Sequence, residues 1–149
     1  MEPEQKTVRV LLIEDDPDDV LLLKESLAEA KAVKINLAHA DRLSEGLKHI
    51  TVQEVDVILL DLNLPDSHGL ETLTTLVRKF PKVPIVVISG LADDATTIAA
   101  VKLGAQDYLV KGEISSPLLG RVLRYAIERK QAEELLRTSE AKYRALVDT

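Results

Sequence analysis

The sequence holds no cysteine and no tryptophan, a single phenylalanine and only three histidines. Without cysteine there is no disulfide, no thiolate metal site and no thiol nucleophile. So few rings leave little from which to build a haem pocket or a base-stacking platform. No apolar run nears the roughly 20 residues that a bilayer-spanning helix needs. The acidic start, Met1 to Glu4, does not read as a signal peptide. A basic surplus is missing too: 19 Lys and Arg face 25 Asp and Glu, a net charge of -6, which speaks against nucleic acid as a partner. No internal repeat or low-complexity tract is present. What the 149 residues do contain is 46% hydrophobic side chain, enough for a core, at a length that suits one domain. The expectation is a cytoplasmic domain, not bound to a membrane, with an addition at one end.

Runs of Val, Ile and Leu stand at Val8–Ile13, Val55–Leu60, Ile85–Ile88 and Tyr108–Val110, with a weaker, alternating run at Ile35–His39. The first three are almost continuously apolar, as strands covered on both faces are, and the weaker run suits a sheet edge. Segments of helical spacing lie between them. Pro17 to Ala30 places Val20, Leu23 and Leu27 on one stripe behind Asp16-Pro17, a cap and first-turn pair. Leu43 to Ile50, Gly69 to Lys79 and Ala95 to Leu103 follow, the last stopped by Gly104. Strand and helix alternate through about 125 residues. This predicts an α/β fold, a doubly wound, five-stranded parallel sheet with right-handed crossovers and helices on both faces.

The C-terminal stretch has another character. Positions 118, 122, 125, 129, 132, 136, 139, 143 and 146 alternate steps of four and three and read Leu, Val, Tyr, Arg, Ala, Leu, Ser, Tyr, Leu, a heptad seam. Residues 118–149 carry seven basic and five acidic side chains, so the tail is net positive while the remainder is negative. If helical throughout, the stretch would reach about 45 Å, more than one crossover needs. The expectation is a final domain helix that continues as a coiled-coil connector and forms a homodimer.

In an open parallel sheet the functional crevice lies at the carboxyl ends of the strands. Glu14-Asp15-Asp16 follows the first strand, Asp61-Leu62-Asn63-Leu64-Pro65-Asp66 the third, Ser89-Gly90 the fourth and Lys111-Gly112 the fifth. Glu14, Asp15 and Asp61 brought together without compensation repel one another strongly in a partly desolvated crevice. A hard dication among their oxygens removes that cost, and Mg²⁺, with its preference for carboxylates, a carbonyl and waters, suits the set. Each acid read alone is no more than a helix cap, Lys111 a surface charge and Ser89 a turn residue; all of them at strand ends together point to one site. His68, beside Asp66 and Gly69, reads as a loop residue.

With these motifs in this order, residues 7–128 resemble a receiver domain of the two-component response-regulator family. The resemblance implies a flavodoxin-like sheet of strand order 2-1-3-4-5. It implies an acidic pair at Glu14 and Asp15, with Asp15 the direct metal ligand, and a phosphoacceptor at Asp61. The Asn63 backbone carbonyl would complete the protein's share of the Mg²⁺ sphere. Ser89 and Lys111 would contact the phosphoryl group, and Ser89 and Tyr108 would act as switch residues. A sensor histidine kinase or histidine phosphotransfer protein would be the partner, and the domain would be a regulatory phosphoacceptor rather than an enzyme. One departure stands out: the family's proline after the lysine, often joined by a cis peptide, is Gly112 here. Residues 129–149 are expected to form a helical linker, and Ser139 to Val147 resembles the opening of a PAS sensory domain.

Two other readings share the architecture. An aspartate-nucleophile phosphohydrolase needs a second carboxylate two residues after the nucleophile, where Asn63 stands. A degenerate receiver serving only as a dimerisation scaffold would not need the full set of acids, Ser89 and Lys111. A flavin- or dinucleotide-binding module fits poorly, because no glycine-rich loop follows the first strand and Glu14-Asp15-Asp16 would repel a phosphate there.

Overall fold

A computed structural model of the chain describes residues 7–30, 34–90 and 93–147. In chain order the elements are β1 (Thr7–Ile13), α1 (Pro17–Ala28), β2 (Lys34–Ala40), α2 (Leu43–Val52), β3 (Val57–Asp61), β4 (Asn63–Leu64), β5 (Ser67–His68), α3 (Leu70–Lys79), β6 (Ile85–Ser89), α4 (Asp94–Lys102), β7 (Asp107–Val110), a 3-10 turn (Lys111–Glu113) and α5 (Ser116–Val147). Five strands make one parallel sheet in the order β2-β1-β3-β6-β7. Counted among themselves along the chain, these five lie 2-1-3-4-5, as expected. The antiparallel pair β4 and β5 stands outside the sheet and was not expected; it is a two-residue ladder closed by Pro65-Asp66, too short to leave a periodic signal.

The continuous apolar runs exist because alternate residues of each strand enter different cores. Val10, Leu12, Val57, Leu59, Val86 and Ile88 pack with Leu23 and Leu27 of α1 and Leu119 and Leu123 of α5. Their neighbours Leu11, Ile13, Ile58, Leu60, Ile85 and Val87 pack on the other face against Leu43 of α2, Leu73 and Leu76 of α3 and Ala100 of α4. Each fully buried Leu, Ile or Val stabilises the fold by about 1.5–3 kcal/mol relative to exposure.

The helix starts show how local chemistry sets the boundaries. Asp16 accepts hydrogen bonds from the N–H groups of Asp18 and Asp19, ahead of Pro17 at the first turn. Helix α4 is capped by Asp93, which accepts from Ala95 N, and it stops before Gly104, whose φ of +116° favours glycine. Helix α2 has no cap of its own, since Arg42 makes no side-chain bond there; Asp66 reaches across to accept from Leu43 N at 2.8 Å and Ser44 N at 2.9 Å. Val55 and Asp56, expected in the third strand, lie ahead of it: Asp56 N donates to Arg9 O, and the Asp56 carboxylate takes the Arg9 guanidinium.

Helix α5 changes surroundings along its length. Leu119, Val122, Leu123 and Ala126 are buried in the body, whereas Leu135, Leu136, Tyr143 and Leu146 are exposed. The heptad seam is therefore split: Leu118 and Val122 belong to the domain core, whereas Tyr125 and the later Leu136, Tyr143 and Leu146 face outward. Contact with the body also outlasts residue 128. Arg129 Nη1 donates to Gln106 O at 3.1 Å, and Gln106 Nε2 donates to Glu133 Oε2 at 3.2 Å. No helix among the described residues is long and apolar enough to cross a membrane.

Candidate functional site

Strand register assembles the site. Ile13 pairs with Leu60, so Glu14 leaves β1 beside Asp61 at the end of β3. Asp61 pairs with Ile88, and Ser89 pairs with Val110, so Ser89 and Lys111 each follow one step farther along neighbouring strands. The sheet thus delivers the expected acids, hydroxyl and ammonium to one edge.

Asp61 is the last residue of β3 and is buried. Its Oδ1 accepts from Asn63 N at 3.1 Å, which bends the following loop back over the carboxylate. Glu14, Asp15 and Asp61 can each place one carboxylate oxygen within 4.8 Å of the others; Glu14 is fully buried and Asp15 exposed. Glu14 is pinned by its backbone, with its N–H on Ala40 O and its carbonyl 2.8 Å from His39 Nε2. A carbonyl only accepts, so His39 Nε2 carries the proton. Glu14 Oε1 accepts from Asp16 N.

Lys111 enters this acidic group from the 3-10 turn after β7. Its Nζ lies 2.7 Å from Glu14 Oε2, 2.8 Å from Asp19 Oδ2 and 3.3 Å from Asp61 Oδ2. Burial opposes the charge on Lys111, but Asp19, Glu14 and Asp61 outweigh it and hold the ammonium's pKa above the ordinary lysine value. Burial is the main reason the Glu14 carboxyl is pushed up to about 7, with Asp61 adding to the rise and Lys111 opposing it. The ammonium therefore supplies part of the compensation that the sequence reading gave entirely to a metal. It does not supply all of it: Glu14 Oε2 meets Lys111 as an ion pair without hydrogen-bond geometry, and is a fully buried oxygen with no hydrogen bond among the described residues. A fully buried carboxylate oxygen whose one partner among the described residues is that ammonium, beside two further carboxylates, belongs to a donor set that a hard dication fits.

Asp19 was missed at the sequence level. It sits in the first turn of α1, and only the tertiary fold, with α1 packed beside α5, brings it to Lys111, 92 residues away. Asn63 is exposed and pairs with His68 in the short ladder. Ser89 is buried at the end of β6. Tyr108 is half-buried, packed against the core shared by α3 and α4. The Lys111-Gly112 bond, where the family's cis-proline was missing, is trans, because the described residues contain no cis peptide.

Residues 10–123 match the response regulator receiver domain family. The chain belongs to that family. It is 37% identical over 123 residues to the cell cycle response regulator CtrA of Brucella ovis, covering 83% of this chain and 51% of that one. The chain thus spans about half the length of the curated relatives it matches. Among solved structures it resembles a response regulator receiver domain protein from Clostridium thermocellum at 25% identity, with a TM-score of 0.72, covering 84% of this chain and 98% of the other. It also resembles the Mn²⁺-bound form of response regulator Rcp1 at 26% identity, with a TM-score of 0.63, covering 78% and 89%. The chain therefore carries a response regulator receiver domain, a regulatory module.

Proposed function

We propose that the domain is a switch set by phosphorylation of Asp61, with Mg²⁺ held by Glu14, Asp15, Asp61 and the Asn63 carbonyl. The observation that carries this reading is the Lys111 ammonium lying between buried Glu14 and Asp61 at the carboxyl edge of the sheet. The Asp61 carboxylate attacks the phosphorus of a phosphohistidine; the new O–P bond forms as the P–N bond breaks and its electron pair returns to the ring nitrogen, so that, with a proton on the other ring nitrogen, a neutral histidine leaves and Asp61 carries an acyl phosphate. Lys111 offsets charge on the transferring oxygens, and the buried edge keeps Asp61 positioned toward the donor. The dication, when bound, neutralises oxygen charge that one ammonium cannot. That Rcp1 is a Mn²⁺-bound form supports divalent-cation binding by this domain. The same groups would favour slow hydrolysis of the acyl phosphate.

The added group brings about two negative charges to the edge. Ser89 is the hydroxyl donor nearest in register, and its loop would draw inward, giving the Tyr108 ring room to turn and remodel the surface of α4, β7 and α5. The body, residues 7–128, would pass this change to the connector, residues 129–149, and through it to a further module; the tail's likeness to the start of a PAS domain supports that order. The exposed half of the seam on α5 favours a parallel homodimer.

Incubation with acetyl phosphate and Mg²⁺ should add a single mass of about 80 Da, one phosphoryl group, and Asp61→Asn should abolish it. No gain in the unaltered chain would refute the switch. Sustained turnover of a generic phosphoester would favour the phosphohydrolase instead.

A further inference from the structure

Three carboxylates share one ammonium, and the longest of the three contacts is the one to Asp61. We propose that Asp19 is a positioning residue that latches Lys111 in the resting state and releases it when a phosphoryl group arrives on Asp61. The inference rests on Asp61 being the phosphoacceptor.

An ammonium has three N–H donors: here two bond Asp19 and Asp61, and Glu14 Oε2 closes the third side as an ion-pair contact at 2.7 Å, so no open side faces a new acceptor. A phosphoryl group adds strong acceptor oxygens and about two charges beside it. For Lys111 to turn toward the newcomer, one acid must let go. Glu14 is fully buried, and its Oε2 would be stranded away from water. Asp61 carries the phosphoryl group itself. Asp19 is different: its side chain is 28% exposed, so water can replace the ammonium. It also lies in the first turn of α1, where the helix end favours a negative charge with or without Lys111. Release therefore costs least at Asp19. At rest the latch shares Lys111 with Asp19, leaving its contact to Asp61 the longest of the three, so part of the attraction between Lys111 and the phosphoryl group goes into breaking the Asp19 contact.

The test measures binding of beryllofluoride, a mimic of a carboxylate-bound phosphoryl group, to the full chain with Mg²⁺. Asp19→Asn should bind about fivefold more tightly than the unaltered chain, the effect of one partly exposed ion pair no longer lost on loading. Asp18→Asn removes the same charge from the same turn and should change affinity by less than about twofold, because exposed charges are screened by salt. Unchanged affinity in Asp19→Asn, or an equal gain in Asp18→Asn, overturns the latch. A second readout is the ¹⁵Nζ resonance of Lys111. It should differ between the unaltered chain and Asp19→Asn when free and coincide when both are loaded; a difference that persists on loading also overturns it. If the unaltered chain binds no better than Asp61→Asn, the latch and the phosphoacceptor reading fall together. If Asp61→Asn alone loses binding while Asp19→Asn equals the unaltered chain, only the latch falls.

Discussion

In the unfolded chain Glu14 titrates near 4.5, and in the folded protein burial pushes it up to about 7. Below the lower value the carboxyl is protonated in both states and contributes nothing to their balance. Between the two, only the unfolded chain gives up its proton, so stability falls as pH rises, and above about 7 the full penalty stands. A dication at the carboxylates would relieve that penalty. Added Mg²⁺ should therefore raise Tm more at pH 8 than at pH 5.5, with chelation reversing the gain, and scanning calorimetry would read both. An equal rise at the two pH values would count against Glu14 as the origin. Glu14, Asp61, Ser89 and Lys111 were legible in the sequence because each directly follows an apolar run or ends it, and chain order alone sends such positions to the carboxyl edge. Asp19 was not legible. Its role depends on the rotation of α1 about its own axis and on a lysine 92 residues distant, neither of which a local pattern encodes.

Helix α1 could be read from its cap because the capping side chain, Asp16, is adjacent in sequence. Helix α2 could not, since its capping carboxylate arrives from the loop after β4, 22 and 23 residues beyond the amides it serves. That bond makes Asp66 a fastener between α2 and the loop that follows Asp61. Asp66→Ala should cost about 1 kcal/mol in urea unfolding at pH 7, the usual effect of losing a cap. Although slight burial works against it, the Leu43 and Ser44 amides hold the Asp66 carboxyl below its ordinary 3.8. A depressed value stabilises the fold above the unfolded-state pKa and stops doing so as pH falls through the folded one. The deficit of Asp66→Asn should accordingly shrink below pH 3.8, and a constant deficit would mean that the charge is irrelevant. The register of the sheet was readable for a related reason. Runs such as Ile58–Leu60 are apolar at every position because successive side chains feed the two opposite cores, which leaves the first polar residue to mark the edge.

Periodicity could follow the heptad seam through α5 without revealing that its partner changes. The early positions meet the sheet, whereas Leu136 and Tyr143 are exposed. Self-association through the connector requires those later positions. In sedimentation velocity the full chain should dimerise and a chain ending at Arg129 should remain a monomer; persistence of the dimer would locate its interface on the body. Gln106 has a place in this larger geometry. Its backbone N–H is held by Ile85 O, its carbonyl receives Arg129, and its amide reaches Glu133. Ile85 opens the strand that ends on Ser89, and Gln106 directly precedes the strand that runs to Lys111. The crevice and the pivot of the outgoing rod are opposite ends of the same two rigid bars. From Glu133 to Val147 the rod measures about 20 Å, so a swing of about 10° at the pivot sweeps its tip through roughly 3.6 Å, about two thirds of the rise of one helical turn.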